Sequence, residues 1–376
     1  MGFGSLGASR RVAVSATARS ARYADGVRPV SLPGSYLVIE TTNQCSLACV
    51  HCTVSEGSAH PHHAGVGFLP LGLAENVFSD LRAVGAHFDT LIFFWLGEPL
   101  IHPEFGALYQ LALRSAPGLF DAIEIHTNAT HLGRDRVRIA LNASPVRQTW
   151  HFSLDAVSAA TYRRVKGRDE LENVTANLDA FLDARATTGA RWPRPIFQFI
   201  VGPNNVSEVA EFRARWQGAC DKRGMSFRVA AQNVPAGDDA IIFFRQLDAP
   251  SVGEQEAANQ VFREEMGRQG LALPRPAATP AAVSPGPGIC GCFWKSPVIG
   301  WDGRVTTCTR DNRLENTIGN VHARPFSEIW WGEGMANHRR NVARGHYVKL
   351  PACDGCFIPR SANYSDISSD EIRSAT

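Results

Sequence analysis

Between residue 36 and about residue 231, six short β-rich runs alternate with stretches of helical periodicity, and this alternation constrains the fold more than any other feature. The strands are expected at 36–40, Thr90–Trp95, Ala122–Thr127, Thr149–Leu154, Pro195–Val201 and Ser226–Ala231, with helices near 72–85, 103–116, 131–142, 170–188 and 205–223. Leu171, Val174, Leu178 and Phe181 recur at helical spacing, as do Val206, Val209, Phe212 and Trp216, and such stripes belong to a core. Strand–helix units in series imply an α/β fold on a parallel sheet, either doubly wound or a full or partial barrel. Periodicity does not choose between these. In all of them ligands bind at the carboxyl ends of the strands, so the residues just past each strand carry the functional information.

After the first strand comes Cys45-Ser46-Leu47-Ala48-Cys49-Val50-His51-Cys52, three cysteines spaced C-x3-C-x2-C in one short loop. An iron–sulfur cube is held by four thiolates, so three leave one iron open. An open position on a metal is where a small molecule is bound and activated. The plain alternatives are a zinc knuckle, to which His51 offers a fourth ligand, or three buried cysteines. A structural zinc site, however, usually draws paired ligands from two knuckles.

After the second strand comes Leu96-Gly97-Glu98-Pro99-Leu100, by itself only a turn signal. The third strand ends in His126-Thr127-Asn128 and the fourth in Ser153-Leu154-Asp155. Ser153 and Asp155 share one strand face, because side chains alternate with period two. Asp155 also suits a cap for a helix beginning at Val157, and Asn128 a turn. The fifth strand leads into Gly202-Pro203-Asn204-Asn205 and the sixth into Gln232-Asn233, polar groups at the same rim.

Residues 232–289 are less regular, with a helix expected around Gly253–Gly270 and a Pro- and Ala-dense linker over Leu271–Gly288. A second set of cysteines comes next. Trp301-Asp302-Gly303-Arg304 between β-rich arms predicts a hairpin with Asp-Gly at its turn. Cys290, Cys308, Cys353 and Cys356 supply four thiolates, with a helical stretch from Pro325 to about Arg344 before the last pair. A closed four-cysteine site holds zinc or an iron–sulfur cluster, and ligand chemistry does not separate them. Cys292 is an alternative to Cys290, or a thiol facing the active site. Cys220, inside an amphipathic helix, reads as a packed, inert residue.

At 376 residues the chain has room for one large domain and a smaller one. A net charge of +2 without blocks of like charge gives no support to a nucleic-acid or membrane-surface partner. Met1 to about Arg28 is rich in Ala, Ser and Arg without an apolar h-region, and reads as a loose arm rather than a signal peptide. No apolar run approaches the about 18 residues that span a bilayer. Nine cysteines in clusters of metal-ligand spacing fit a reducing cytoplasm better than a disulfide framework.

The cysteine loop, in register after the first strand, resembles the cluster loop of the radical SAM enzymes. In that family S-adenosylmethionine (SAM) chelates the open iron, and one electron cleaves it to a 5′-deoxyadenosyl radical. The resemblance implies a partial (β/α)6 TIM-like barrel, and an external one-electron donor such as flavodoxin or ferredoxin. Leu96–Pro99 is similar to the family's Gly-Gly-Glu-Pro turn, with Leu96 in place of the first glycine. It implies that Gly97, Glu98 and Pro99 bind the cofactor's amino group, which needs acceptors. Asn128, Ser153 and Asn204 are then candidates for the cofactor, and Asn128 and Asp155 for the substrate.

The hairpin with its flanking cysteines resembles the SPASM domain that is appended to many radical SAM barrels, in its shortened "twitch" form with one auxiliary [4Fe-4S] cluster. Nothing after Cys356 supplies the later cysteines of the full pattern. In the family a Trp often stands four positions after the first ligand, and Trp294 stands so to Cys290. The resemblance covers about residues 36–360. It implies an arm at 1–30, the barrel at 31–235, a helix and linker at 236–289, the auxiliary-cluster domain at 290–360 and a tail at 361–376.

A fully ligated second cluster suits electron transfer. Twitch enzymes resemble this, and their outcome implies a dehydrogenase that turns a secondary alcohol of a sugar or aminocyclitol into a ketone, as in antibiotic biosynthesis. A rim residue such as Asp155 would hold or deprotonate the hydroxyl. The rivals are a maturase of ribosomally made peptides, a redox-neutral epimerase using Cys292 or another thiol, and a zinc-stapled binding protein. The last leaves Cys45, Cys49, Cys52 and the Gly-Glu-Pro turn unexplained.

Overall fold

The computed structural model describes residues 34–142, 144–249, 252–273, 289–354 and 356. The expected N-terminal arm, most of the Pro/Ala-rich linker and the C-terminal tail lie outside these residues.

Seven parallel strands form the body of the sheet: β1 (Tyr36–Ile39), β2 (Phe88–Phe93), β3 (Phe120–Thr127), β4 (Arg147–Ser153), β5 (Arg194–Val201), β6 (Phe227–Ala231) and β7 (Ala240–Gln246). Three short strands continue it, β8 (Val298–Ile299), β9 (Arg304–Thr306) and β10 (Gly319–Asn320). The order is β10-β9-β8-β1-β2-β3-β4-β5-β7-β6, an open sheet of the partial-barrel kind. β1 to β5 are neighbours in chain order, as right-handed strand–helix units require.

Each strand of this sheet alternates between two faces. Leu37, Leu91, Phe93, Ile123, Ile125, Trp150, Phe152, Phe197 and Phe199 join the crossover helices in one buried core. Polar atoms in this core find partners: the Trp150 indole N–H donates to the Tyr109 hydroxyl at 3.0 Å. Tyr36, Glu40, Phe94, Glu124, His126, His151 and Ser153 take the opposite register positions and face the lumen.

Two elements of the barrel depart from expectation. The sixth barrel position, beside β5, is taken by β7 and not by 226–231. β6 pairs with the outer side of β7 and ends the sheet. Ala240-Ile241-Ile242-Phe243-Phe244 is buried on both faces, so it shows no alternation that a polar–apolar pattern would reveal. The second departure is a separate helix, Ala159–Lys166, ahead of the expected Leu171–Thr188. Ser158 caps it by accepting from Thr161 N–H at 3.2 Å, and Gly167 ends it at φ 74°.

The C-terminal hairpin forms as expected, with Gly303 at φ 81°. It does not stand apart: β8 pairs in parallel with β1, Val38 opposite Val298. The expected helix from Pro325 is two helices, Phe326–Trp330 and Glu333–Ala343. Cys220 is fully buried in the helix Val209–Asp221.

Candidate active site

The cysteine loop leaves β1 and is held from three sides. Glu98 N–H donates to Gln44 O at 2.7 Å, tying it to the turn after β2. A Cβ on Gly97 would stand 2.0 Å from Thr42 O, so only glycine allows this approach. On the other side Ala48 N–H and Val50 N–H donate to the carbonyls of Lys166 and Val165 at 3.1 and 3.0 Å. A Cβ on Gly167 would stand 2.4 Å from Ala48 O. The helix Ala159–Lys166 thus delivers its last residue to the cysteines.

Sequence reasoning does not single that residue out. Lys166 is 1% exposed and forms an ion pair with the fully buried Asp155. Its ammonium also donates to Ser153 Oγ at 3.1 Å. Burial opposes the charge, but the Asp155 carboxylate overrides it and holds the Lys166 pKa above the ordinary lysine value. A lysine ahead of a helix-ending glycine is the only local signal, and its partner lies across a loop.

Asp155, a candidate for the substrate from the sequence, is buried and bonded within the fold, and Ser158, not Asp155, caps the following helix. Its carboxylate accepts from Lys166 and from Ile200 N–H at 2.6 Å, and its backbone sits at φ 60°. Asn205 braces the same turn, donating to Asp155 O at 2.9 Å. Asn204 is exposed at the rim, where its carbonyl accepts from Arg164. Ser153 lies between Asp155 and Lys166.

Glu98 is buried, and its two oxygens hold Thr127 Oγ1 at 2.7 Å, Asn128 N–H at 2.7 Å and Leu100 N–H at 3.0 Å. It joins the ends of β2 and β3. Burial pushes its carboxyl up to about 7 against these hydrogen bonds. Asn128 donates toward Cys45 Sγ at 3.5 Å and Ser46 Oγ at 3.3 Å, so the end of β3 touches the cysteine loop. Glu98 and Asn128 thus brace the loop, while Gly97 and Pro99 carry the backbone past it.

Burial pushes the Cys45 thiol up to about 12 and raises Cys49 and Cys52 as well. Ionising three such thiols together needs a cation to compensate them, which suits a metal cluster. His51, offered as a zinc ligand, is exposed.

The second cysteine set surrounds a cavity lined by Cys290, Cys308, Cys353 and Cys356, with Tyr347 and Asn316 among its other walls. Asn316 donates to Cys353 Sγ at 3.2 Å, and the Tyr347 hydroxyl accepts from Cys290 N–H at 2.9 Å. Cys292 is not in the lining; its thiol lies beside those of Cys290 and Cys308. Four thiols about one cavity match the needs of a cubane cluster with no vacant position.

A buried node fastens this unit to the barrel. Glu40 accepts from His62 at 2.7 Å, from Leu96 N–H at 3.2 Å and from Trp301 N–H at 3.2 Å. Trp95 Nε1–H donates to Thr309 O at 2.8 Å, next to Cys308. The turn after β2 therefore touches both cysteine sites.

A model of the radical SAM superfamily matches residues 39–210, and a model of an iron-sulfur cluster-binding domain, SPASM, matches residues 290–357. Among curated proteins, the mycofactocin maturase MftC of Mycobacterium ulcerans (strain Agy99) is 25% identical over 214 residues, 55% of this chain and 49% of that protein. The chain thus spans about half the length of that relative. Streptococcus suis SuiB bound to S-adenosylmethionine is similar in fold, with TM-score 0.55 and 14% identity over 89% of this chain and 76% of its own. So is anSMEcpe with bound AdoMet and Cp18Cys peptide, at TM-score 0.53 and 12% identity over 88% of each chain. BtrN in complex with AdoMet and 2-DOIA aligns at TM-score 0.46 and 15% identity over 87% of this chain and 94% of its own. The chain thus carries a radical SAM domain and an iron-sulfur cluster-binding SPASM domain, and with them uses S-adenosylmethionine and [4Fe-4S] clusters.

Proposed function

We propose that this radical SAM enzyme is a dehydrogenase that oxidises a secondary alcohol of a sugar or aminocyclitol to a ketone, in antibiotic or other secondary-metabolite biosynthesis. The observation that carries this reading is the closed second thiol set, Cys290, Cys308, Cys353 and Cys356 around one cavity. A cluster with all four positions filled by protein exchanges electrons and does not bind substrate. When bound, the cofactors supply a carbon radical that removes a hydrogen atom and a second centre that accepts one electron.

The chain's own residues hold and orient. Cys45, Cys49 and Cys52 hold the first cluster, and the Gly97–Pro99 turn offers acceptors to the cofactor's amine. Ser153 and Lys166 present polar groups beside Cys49, and Asn128 does so beside Cys45. Asn204 marks the rim. Asp155 has its charge neutralised by Lys166 and serves to orient it. An external flavodoxin or ferredoxin in the cytoplasm would reduce the first cluster. Among the described residues no helix is long and apolar enough to cross a membrane.

A second reading has one observation in its favour: the curated relative is a maturase. A single experiment separates the two. Anaerobically reconstituted enzyme is given C-deuterated cyclic polyols, and 5′-deoxyadenosine is analysed by mass spectrometry. Deuterium in 5′-deoxyadenosine with a matching ketone supports the dehydrogenase. Deuterium transfer only from a peptide would replace it with the maturase.

A further inference from the structure

The lumen carries a polar cluster that the cysteine sites do not use. Pairing of β3 with β4 sets His126 directly opposite His151. Their rings stack at 4.1 Å with planes 13° apart, and Phe94 stacks on the far side of His126 at 5.0 Å. Glu124 Oε2 lies 3.4 Å from His126 Nε2 and 3.7 Å from His151 Nε2.

These three residues have the separations of a cation site, but the ring geometry argues against a shared ion. An imidazole lone pair lies in its ring plane, and two parallel rings stacked face to face do not aim both lone pairs at one point. A carboxylate only accepts, so the nitrogens facing it are N–H donors, which leaves Nδ1 of each ring as the acceptor. Nδ1 of His151 is buried and has no partner among the described residues. The His126 side chain retains 18% exposure, against 7% for His151. It stands two strand positions, about 7 Å, from Asn128, which touches Cys45.

We propose that His126, oriented by Glu124 and backed by His151, accepts a hydroxyl of the substrate in the lumen and takes its proton as the carbonyl forms. The inference rests on the dehydrogenase reading. The substrate carbon gives a hydrogen atom to the SAM-derived radical. Its hydroxyl gives a proton to His126 Nδ1, and the remaining electron passes to the auxiliary cluster. One C–H and one O–H bond break; the C=O π bond, an N–H bond and the new C–H bond of 5′-deoxyadenosine form; and the substrate loses two electrons, one with the hydrogen atom and one to the auxiliary cluster. Burial, with Arg245 adding to it, pushes the His126 imidazole down to about 3, so it is neutral before the reaction but a weak base, and it takes the proton only as the oxidised carbon makes the hydroxyl strongly acidic. The Glu124 carboxylate then steadies the imidazolium.

Asparagine places its oxygen where Nδ1 of histidine stands, and glutamine places its amide at Nε2. Titration calorimetry with myo-inositol and glucosamine on reconstituted, SAM-loaded protein uses this difference. His126→Phe and His126→Gln should weaken binding about tenfold, and His126→Asn should retain it. With a C-deuterated polyol, His126→Asn should still pass deuterium into 5′-deoxyadenosine while ketone formation falls about a hundredfold. Equal binding by all variants, no binding of either probe to wild type, or retention by Gln and loss by Asn would overturn the inference. If the binding pattern holds but wild type transfers no deuterium from any polyol, the dehydrogenase reading fails, and with it the proton transfer assigned to His126.

Discussion

Replacing Lys166 by Met leaves the Asp155 carboxylate buried with the Ile200 N–H and the Ser153 hydroxyl as its hydrogen-bond donors. The two side chains are 1% and 0% exposed, so water does not take the place of the ammonium. Removing one partner of such a pair costs about 3–5 kcal/mol, because a charge is stranded in the interior. Asp155→Asn strands the ammonium instead and falls in the same range. Asn tolerates the φ of 60° at this position, so backbone strain adds little. In the double variant neither charge remains, the amide oxygen still accepts from Ile200, and the cost drops to about 1–2 kcal/mol. The coupling is then at least about 4 kcal/mol, above the about 0.5–3 kcal/mol that contacting pairs usually show. Anaerobic urea unfolding of the four proteins at pH 7 measures it. Hydrogen exchange at Ala48 and Val50, whose amides bond to Lys166 and Val165, should quicken in the single variants. Additive losses, or a Lys166→Met cost below about 1 kcal/mol, would refute the claim that a buried ion pair holds the cysteine loop.

Gly97→Ala puts a methyl group 2.0 Å from Thr42 O and 2.8 Å from Gln44 O, backbone atoms that do not yield. SAM affinity by calorimetry should fall by about tenfold or more, and an unchanged affinity would show that the turn does not shape the cofactor site. Glu98 is raised from 4.5 to about 7 by burial, so the folded state holds its proton more tightly than the unfolded chain. Stability from this group is full below pH 4.5 and is lost as pH rises through 7, by up to about 3 kcal/mol; Glu98→Gln should flatten that slope in urea melts at pH 5 and 8. Cys292→Ser should keep about eight irons per chain, whereas Cys290→Ala should retain about four, since only Cys290 joins the cavity lining.

Much of the cysteine chemistry is readable because it depends on spacing within a few residues. Cys45, Cys49 and Cys52 share one loop, and Gly97 fits its turn for a reason any backbone clash would reveal. Cys290, Cys308, Cys353 and Cys356 are spread from just before the hairpin to the 3-10 turn Pro351–Cys353 and just past it, yet their spacing around the Asp-Gly turn and in the last pair is local. The features that escape are either doubly buried or set by strand register. β7 reads as a featureless apolar run because both faces are covered. Asp155 looks like a substrate base because a strand-end carboxylate is normally free; its capture by Lys166 depends on where a separate short helix ends. His126 and His151 are visible as residues, but only pairing of β3 with β4 sets one against the other.

Iron and sulfide per chain after anaerobic reconstitution is the most direct measurement, comparing wild type with the Cys45/Cys49/Cys52→Ala triple variant. About eight irons in wild type and about four in the variant are expected from two cubane clusters, one in the loop after β1 and one in the four-cysteine cavity. About four in wild type and none in the variant would make the C-terminal site zinc or empty. The electron acceptor, and the dehydrogenase with it, would then be ruled out.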